Sequence, residues 1–264
     1  MSMVSSNGDG AGRGLGPCPE GVEEAAWRRI EDAVSKAPQP LAVFDADGTL
    51  WADDLGETHL HVLADDGLVA PGQGYTSLLD EYLARCATDV DDAYAWGAQI
   101  LAGLRESRVA ESAVEAWRRH RPRLLAPLEA IVRALHRAGV EVVVVSASNR
   151  WVIEAAVKEL GVGPDKIIAV DLERDGPELT GTVVQPMPNG KGKVDAIDVH
   201  LGRRPTLAFG NSVHDVPMLQ SAALGVFVLA TTQQAPQLSK PLEAIRSEAG
   251  WLYLGVPHPL GDVP

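Results

Sequence analysis

Continuous apolar runs separated by helical patterns are the feature that most restricts the fold of this 264-residue chain. Five runs of four to six residues are bounded by turn-type or polar residues, at 41–44, 140–145, 166–170, 206–209 and 225–230. Runs without polar alternation are typical of strands covered on both faces, as in parallel sheets. Between the runs lie helical patterns, since apolar residues recur at i, i+3, i+4 and i+7 from Leu128 to Leu135. The sequence therefore predicts an α/β fold with a parallel sheet.

The segment from residue 52 to residue 122 interrupts this alternation. It contains several helical patterns in succession and no convincing strand. Because it begins just after the first run, it is anchored at the carboxyl end of the first strand, where open α/β sheets bind ligands. We therefore predict a helical cap over residues 52–122, inserted into a Rossmann-like core of residues 22–51 and 123–264. The Gly-containing leader, residues 1–21, is expected to be disordered.

Composition restricts the partners of the protein. The formal net charge of −13 repels the phosphates of a nucleic acid, so we expect no nucleic-acid partner. No apolar run reaches 18 residues and the N-terminus has no apolar signal segment, which predicts a cytoplasmic protein without a membrane partner. The two cysteines lack the spacing of a metal site or a disulfide framework. The sequence leaves the oligomeric state open.

The stretch DADGTLW places two carboxylates, Asp45 and Asp47, directly after the first apolar run. Like charges this close repel each other and are costly to desolvate unless other groups compensate them. Three further strand ends offer such groups: SASNR at 146–150, NGKGK at 189–193 and GNSVHD at 210–215. Together they provide hydroxyl groups, an ammonium group and a second cluster of oxygen atoms.

In this order, the four motifs resemble those of the haloacid dehalogenase superfamily, in particular its phosphoserine-phosphatase-like branch, over about residues 40–230. The resemblance implies that Asp45 is the nucleophile that forms an aspartyl-phosphate. It implies that Asp47 is the general acid and base. The residues that it implies for binding the phosphoryl group are Gly48, Thr49, Ser146, Ala147 and Lys191, with Lys193 as the alternative lysine.

The resemblance also implies a Mg²⁺ ion bound by Asp45, by the backbone carbonyl of Asp47 and by oxygens of the fourth motif. That motif often begins Gly-Asp, whereas here it begins Gly-Asn. A neutral amide, Asn211, therefore stands where an anionic ligand is usual, and Asp215 is the main acid of the motif. We expect both residues to be ligands.

Substrate contacts are expected where the cap begins. Asp54 and Glu57 could receive the amine of a phosphomonoester, although Asp-x-x-Glu before an apolar stretch is also a helix-capping pattern. Trp51 could join an aromatic cage for a quaternary ammonium group, with core packing as the alternative. Arg150 could contact substrate or lie on the surface at the start of a helix.

The predicted function is Mg²⁺-dependent hydrolysis of a small phosphorylated metabolite, with an amine-bearing ester such as phosphoserine or phosphocholine as a candidate substrate. A dehalogenase shares the nucleophilic aspartate and does not need an acid at the second position, so Asp47 argues against that class. A phosphotransferase would use the same residues with another alcohol as acceptor. A non-catalytic module that binds a phosphorylated ligand is supported by Asn211 alone. Both of these alternatives stay open.

Overall fold

The computed structural model describes residues 14–69, 74–120, 124–231 and 250–257, and these ranges contain eight strands and nine α-helices. The strands are β1 (Leu41–Phe44), β2 (Glu141–Asn149), β3 (Ile167–Val170), β4 (Leu172–Asp175), β5 (Glu178–Val183), β6 (Leu207–Gly210), β7 (Leu224–Thr231) and β8 (Leu252–Pro257). The helices are α1 (Glu24–Lys36), α2 (Leu55–Asp65), α3 (Tyr75–Thr88), α4 (Val90–Gln99), α5 (Glu106–His120), α6 (Ala126–Arg137), α7 (Arg150–Val157), α8 (Lys191–Leu201) and α9 (Val216–Ser221).

Six strands form one parallel sheet in the order β3-β2-β1-β6-β7-β8. Each of the five apolar runs overlaps one of these strands, which confirms the predicted fold class. Alternate residues of β1 belong to two hydrophobic clusters: Ala42 and Phe44 pack into one, Leu41 and Val43 into the other. Both faces of the sheet are therefore covered, which explains why the runs show no polar alternation.

The chain leaves β1 at the point where the strand order reverses, because β2 lies on one side of β1 and β6 on the other. Parallel strands end at the same edge of a sheet, so the residues that follow β1, β2 and β6 meet there. A crevice at such a position is the usual ligand site of open α/β sheets.

Residues 55–120 contain α2 to α5 and, among the described residues, no strand. This segment contacts the core through a buried polar chain in which the Nδ2 atom of Asn149 lies 3.3 Å from Nδ1 of His59, and Nε2 of His59 lies 2.8 Å from Oγ of Ser112. The Asn149 oxygen accepts from the backbone N–H of Val152, so Asn149 donates to His59, which in turn donates to Ser112. The division into core and cap stays a prediction.

The antiparallel hairpin of β4 and β5 was not predicted. It lies against the helical segment, because the backbone N–H of Gly103 donates to the carbonyl of Leu179 at 2.8 Å and the Leu179 N–H donates to Leu104 at 2.9 Å. The turn contains Gly176 with a φ of +59°. Asp-Gly between two short runs is a hairpin signal, so the sequence contained the information.

The expected disorder of the leader does not hold for residues 14–21. Leu15 is buried in the main hydrophobic cluster, and the indole N–H of Trp27 donates to the carbonyl of Gly16 at 3.1 Å. Residues 1–13 lie outside the described residues. No helix in the described ranges combines the length and the apolar character needed to cross a membrane.

Candidate active site

The loop after β1 turns sharply at the carboxyl edge of the sheet. The backbone N–H of Asp45 donates to the carbonyl of Phe209 at 2.9 Å, which joins the end of β1 to β6. Gly48 has a φ of +75°, and a Cβ atom there would collide with the side-chain amide of Asn211. Only glycine meets both demands, so Gly48 allows the first and fourth motifs to approach each other.

A buried lysine compensates the carboxylate of Asp45. Lys193 Nζ donates to Asp45 Oδ1 and to Asp215 Oδ1, both at 2.6 Å, and to the carbonyl of Val145 at 3.1 Å. Burial and the charge of Asp215 raise the pKa of Asp45 to about 7, although Lys193 opposes the shift. Burial alone would lower the pKa of Lys193. The charges of Asp215 and Asp45 outweigh burial, so the pKa lies above its ordinary value. The ammonium group therefore stays charged beneath Asp45.

Lys193, and not Lys191, is the lysine that reaches Asp45, so the preference for Lys191 is corrected. Lys191 is exposed at the first position of α8, whereas Lys193 is buried. Two residues of a helix are about 200° apart around its axis, so the two side chains point in nearly opposite directions. Lys193 shares its face with the buried residues Ala196 and Ile197, and this i, i+3, i+4 spacing was the sequence signal that could have identified it.

Asp215 holds the fourth motif together. Its Oδ2 atom accepts from the backbone N–H groups of Asn211 and Ser212 and from Oγ of Ser212, each at 3.0 Å. Lys193 donates to the other oxygen, Oδ1, so four donors contact this carboxylate. Asp215 therefore orients Lys193 and the loop after β6, and its expected role as a metal ligand stays a prediction.

Oxygen atoms of three other residues converge on Asn211. One end of its side-chain amide lies 3.2 Å from Asp45 Oδ2, from the carbonyl oxygen of Asp47 and from Thr49 Oγ1. If a cation lies among these atoms, the amide oxygen of Asn211 can face Asp45 Oδ2 and the Asp47 carbonyl. Without a cation, the amide NH₂ group donates hydrogen bonds to both. Carboxylate, carbonyl and amide oxygens are ligands that Mg²⁺ accepts. The donor set fits this ion, although the described residues contain no cluster of three or more His, Cys, Asp or Glu side chains suited to a metal.

Asp47 lies at the rim of the site and accepts three hydrogen bonds. Its Oδ1 atom accepts from the indole Nε1–H of Trp51 at 2.8 Å and from the backbone N–H of Leu55 at 2.7 Å. Its Oδ2 atom accepts from Ser148 Oγ at 2.7 Å. Ser148 lies where the pairing of β2 with β3 is irregular, and irregular strand ends commonly redirect side chains at active sites. Ser148 was not among the site residues predicted from the sequence.

One cavity of about 360 Å³ lies at this edge of the sheet. The predicted residues that line it are Asp45, Asp47, Gly48, Asp54, Ser146, Ala147, Lys193, Asn211 and Asp215. Thr49 lies behind them, buried, and its hydroxyl donates to Asp45 Oδ2 at 2.9 Å. The lining residues that the sequence analysis had not assigned to the site are Asp53, Tyr94, Ser148, Ser212 and His214.

Two of the candidate substrate contacts, Trp51 and Arg150, line neither this cavity nor the one that adjoins it. Trp51 is fully buried behind Asp47, so it does not form part of an aromatic cage. Arg150 donates to the carbonyl of Pro164 at 2.7 Å and to that of Ile167 at 3.3 Å, and so supports the entry to β3. Both expectations are corrected: Trp51 is a core residue beside a catalytic candidate, and Arg150 is structural.

Asp54 caps α2 and also lines the cavity. Its side chain accepts from the backbone N–H of Glu57 at 3.1 Å, so the capping interpretation holds. Burial and the charge of Asp47 raise the pKa of Asp54 to about 8. An adjoining cavity of about 560 Å³ is lined by Asp53, Asp54 and Glu57, among others. The surface beside the site is therefore acidic.

The chain is similar to a known family in sequence and to solved structures in fold. The sequence model of one family, described as haloacid dehalogenase-like hydrolase, matches residues 42–220. No curated protein matches the sequence significantly.

Solved structures share the fold at low sequence identity. A protein of unknown function from Bordetella pertussis Tohama I has 23% identity and a TM-score of 0.70, covering 83% of this chain and 99% of its own. A functionally unknown protein from Anaerococcus prevotii has 14% identity and a TM-score of 0.67, with coverages of 89% and 95%. A phospho-aspartyl intermediate analogue of phosphoserine phosphatase has 19% identity and a TM-score of 0.54, with coverages of 84% and 96%.

Proposed function

Because the chain belongs to the haloacid dehalogenase-like hydrolases, we propose that it hydrolyses a small phosphomonoester through an aspartyl-phosphate on Asp45, with Mg²⁺. The observation that carries the proposal is the contrast between two carboxylates at one strand end. Asp45 is buried on a charged lysine, whereas Asp47 is held at the cavity rim by neutral donors. Two carboxylates in different surroundings can serve as nucleophile and as acid or base.

In the first step, a carboxylate oxygen of Asp45 attacks phosphorus and the ester P–O bond breaks. Asp47 gives its proton to the departing alcohol oxygen. In the second step, Asp47 takes a proton from the water that attacks the phosphorus of the aspartyl-phosphate, and Asp45 leaves as the carboxylate. Lys193 stays protonated throughout, and its charge balances that of Asp45 whenever the carboxylate is free.

The phosphoryl oxygens need donors around the cavity. Ser146 and the backbone N–H groups of the Ala147 and Gly48 loops are the candidates, and all three residues line it. Preorganised donors of this kind favour the charge that develops during transfer. Asp45, the carbonyl of Asp47 and Asn211 would hold the cation, which supplies positive charge that lets the phosphate approach a carboxylate.

The charges around the cavity favour an amine-bearing substrate without a carboxylate. Lys193 is the only Lys or Arg among the described residues that line the central cavity, and two carboxylates already occupy it. In the adjoining cavity, Arg119 is paired with Asp65 and Glu115. Glu57 and, above its pKa of about 8, Asp54 carry carboxylates that would attract a cationic leaving group and repel an anionic one. Phosphocholine therefore fits this surface better than phosphoserine.

Phosphate release from a panel of phosphomonoesters tests the proposal. The panel contains phosphocholine, phosphoserine, phosphothreonine and sugar phosphates, each with Mg²⁺ or with EDTA. We expect release by the wild type with Mg²⁺ and none by Asp45→Asn, with phosphocholine preferred over phosphoserine. Asp198→Asn, which removes an exposed carboxylate on α8, is the matched control and should retain activity.

The same assay separates the alternatives. Release that persists in Asp45→Asn contradicts the aspartyl-phosphate route. Transfer of phosphate to added glycerol in preference to water would identify a phosphotransferase. A folded wild type that binds an ester by calorimetry and releases no phosphate would identify a binding module.

A further inference from the structure

The three donors on Asp47 are divided unequally between its two oxygens. Oδ1 accepts from the Trp51 indole and from the Leu55 amide, whereas Oδ2 accepts from Ser148 alone. A carboxylate oxygen has about two lone-pair positions. Oδ1 is therefore saturated, and Oδ2 keeps one position open on the residue that borders the cavity.

The indole of Trp51 is rigidly held. Its side chain has no exposed surface, and its ring packs edge-on against Trp117 of α5 with 5.5 Å between centroids and 61° between planes. The backbone of Trp51 also forms isolated bridges with Asp47 and Leu124. An indole N–H is a donor only, so this hydrogen bond cannot reverse its direction.

We propose that Trp51 is a positioning residue for Asp47: together with the Leu55 amide it fixes Oδ1, so that Oδ2 is the oxygen presented to the leaving group. The inference rests on the proposed function, in which Asp47 is the acid of the first step. The proton on the open position of Oδ2 passes to the alcohol oxygen as the ester P–O bond breaks and the bond from Asp45 to phosphorus forms. Ser148 keeps the other position of Oδ2.

The nature of the leaving group reveals whether Oδ2 is correctly placed. An alkoxide must be protonated as it departs, whereas p-nitrophenolate is stable enough to leave without a proton. The ratio kcat/KM covers the steps up to departure of the leaving group, so the later hydrolysis of the aspartyl-phosphate does not enter it. A displaced Oδ2 should therefore slow alkyl esters and spare p-nitrophenyl phosphate.

The experiment measures kcat/KM for the best alkyl ester of the panel and for p-nitrophenyl phosphate, in the wild type, Trp51→Phe and Trp27→Phe. General acids contribute about 10²-fold or more, so partial misplacement in Trp51→Phe should cost about tenfold with the alkyl ester and at most about twofold with p-nitrophenyl phosphate. Trp27→Phe is the matched control, because it removes the indole N–H of another buried tryptophan, which donates to the carbonyl of Gly16 and not to Asp47. It should change both ratios equally.

Equal losses for the two esters in Trp51→Phe, the same selective loss in Trp27→Phe, or no loss at all would overturn the inference. If Trp51→Phe does not fold, benzothienylalanine at position 51 keeps the shape of the ring without the N–H, and the same selective loss is expected. A wild type that hydrolyses neither ester overturns the proposed function and the inference with it. An active wild type with uniform losses overturns only the inference.

Discussion

Replacing Lys193 by methionine removes the positive charge beneath the candidate nucleophile. Its Nζ atom lies 2.6 Å from both Asp45 and Asp215, and the three side chains are only 2%, 10% and 1% exposed. Methionine has nearly the length of lysine and fills the same channel without a charge. The variant therefore leaves two buried carboxylates without their partner.

The expected loss in free energy of unfolding is about 3–5 kcal/mol at pH 7.5, the range for removing one partner of a buried ion pair. The loss should depend on pH. The pKa of Asp45 is already raised to about 7 by burial and by Asp215, and without Lys193 it rises further. A folded-state pKa above the unfolded value favours the folded state at low pH, and this contribution is lost as the pH rises through the folded-state pKa. The deficit of the variant should therefore be smaller at pH 5.5 than at pH 7.5.

Urea denaturation of the wild type and the variant at both pH values, with EDTA present to remove divalent cations, measures this deficit. Lys191→Met is the matched control, since it makes the same substitution two residues away at an exposed position. Surface changes of this kind usually alter stability by less than about 0.5 kcal/mol. Phosphate release should be lost in Lys193→Met and kept in Lys191→Met.

Two results would refute this reasoning. The first is a Lys193→Met protein as stable as the wild type at pH 7.5, which would mean that the ammonium group does not compensate Asp45 and Asp215. The second is an equal loss in Lys191→Met, which would mean that α8 tolerates no methionine near its start. A deficit of the same size at both pH values would contradict the assignment of the loss to unpaired carboxylates.

Two further predictions concern Asn211 and His59. Asn211→Asp adds an anionic oxygen beside Asp45 and the Asp47 carbonyl. The Mg²⁺ concentration for half-maximal phosphate release should therefore fall about tenfold, equivalent to about 1.4 kcal/mol. An unchanged concentration would contradict a cation at this position. Burial lowers the pKa of His59 to about 3, so the unfolded chain binds a proton there more readily and stability falls as the pH drops below about 6.5. At pH 5 this effect lowers the free energy of unfolding by about 2 kcal/mol. Urea denaturation should show that His59→Asn does not lose this stability on acidification. His61→Asn, at an exposed position, is the control.

The fold class and the backbone of the candidate site could be predicted from local patterns. A strand buried on both faces requires a continuous apolar run, and the carboxyl ends of parallel strands share one edge, so Asp45, Ser146 and Asn211 could be assigned to one site without coordinates. The need for glycine in the DADGT stretch could also be predicted locally, because the chain turns sharply after β1 and this turn requires a positive φ.

The choice among chemically equivalent side chains depended on tertiary structure. The lysine of the NGKGK stretch that reaches Asp45 is decided by the side on which α8 packs against the sheet, and a separation of two residues reverses that side. The role of Asp215 depends on donors from α8 and from its own loop, which together contact its oxygens.

Trp51 follows the first motif in the sequence and could have faced substrate as well as the core. Its position was decided by the helical segment, because α5 supplies Trp117 as its packing partner from residues more than sixty positions away. Sequence alone thus determined which strands converge and which chemical groups they carry, because both follow from short-range periodicity. Tertiary structure decided which of those groups touch, because hydrogen-bond partners and burial depend on how helices distant in sequence pack together.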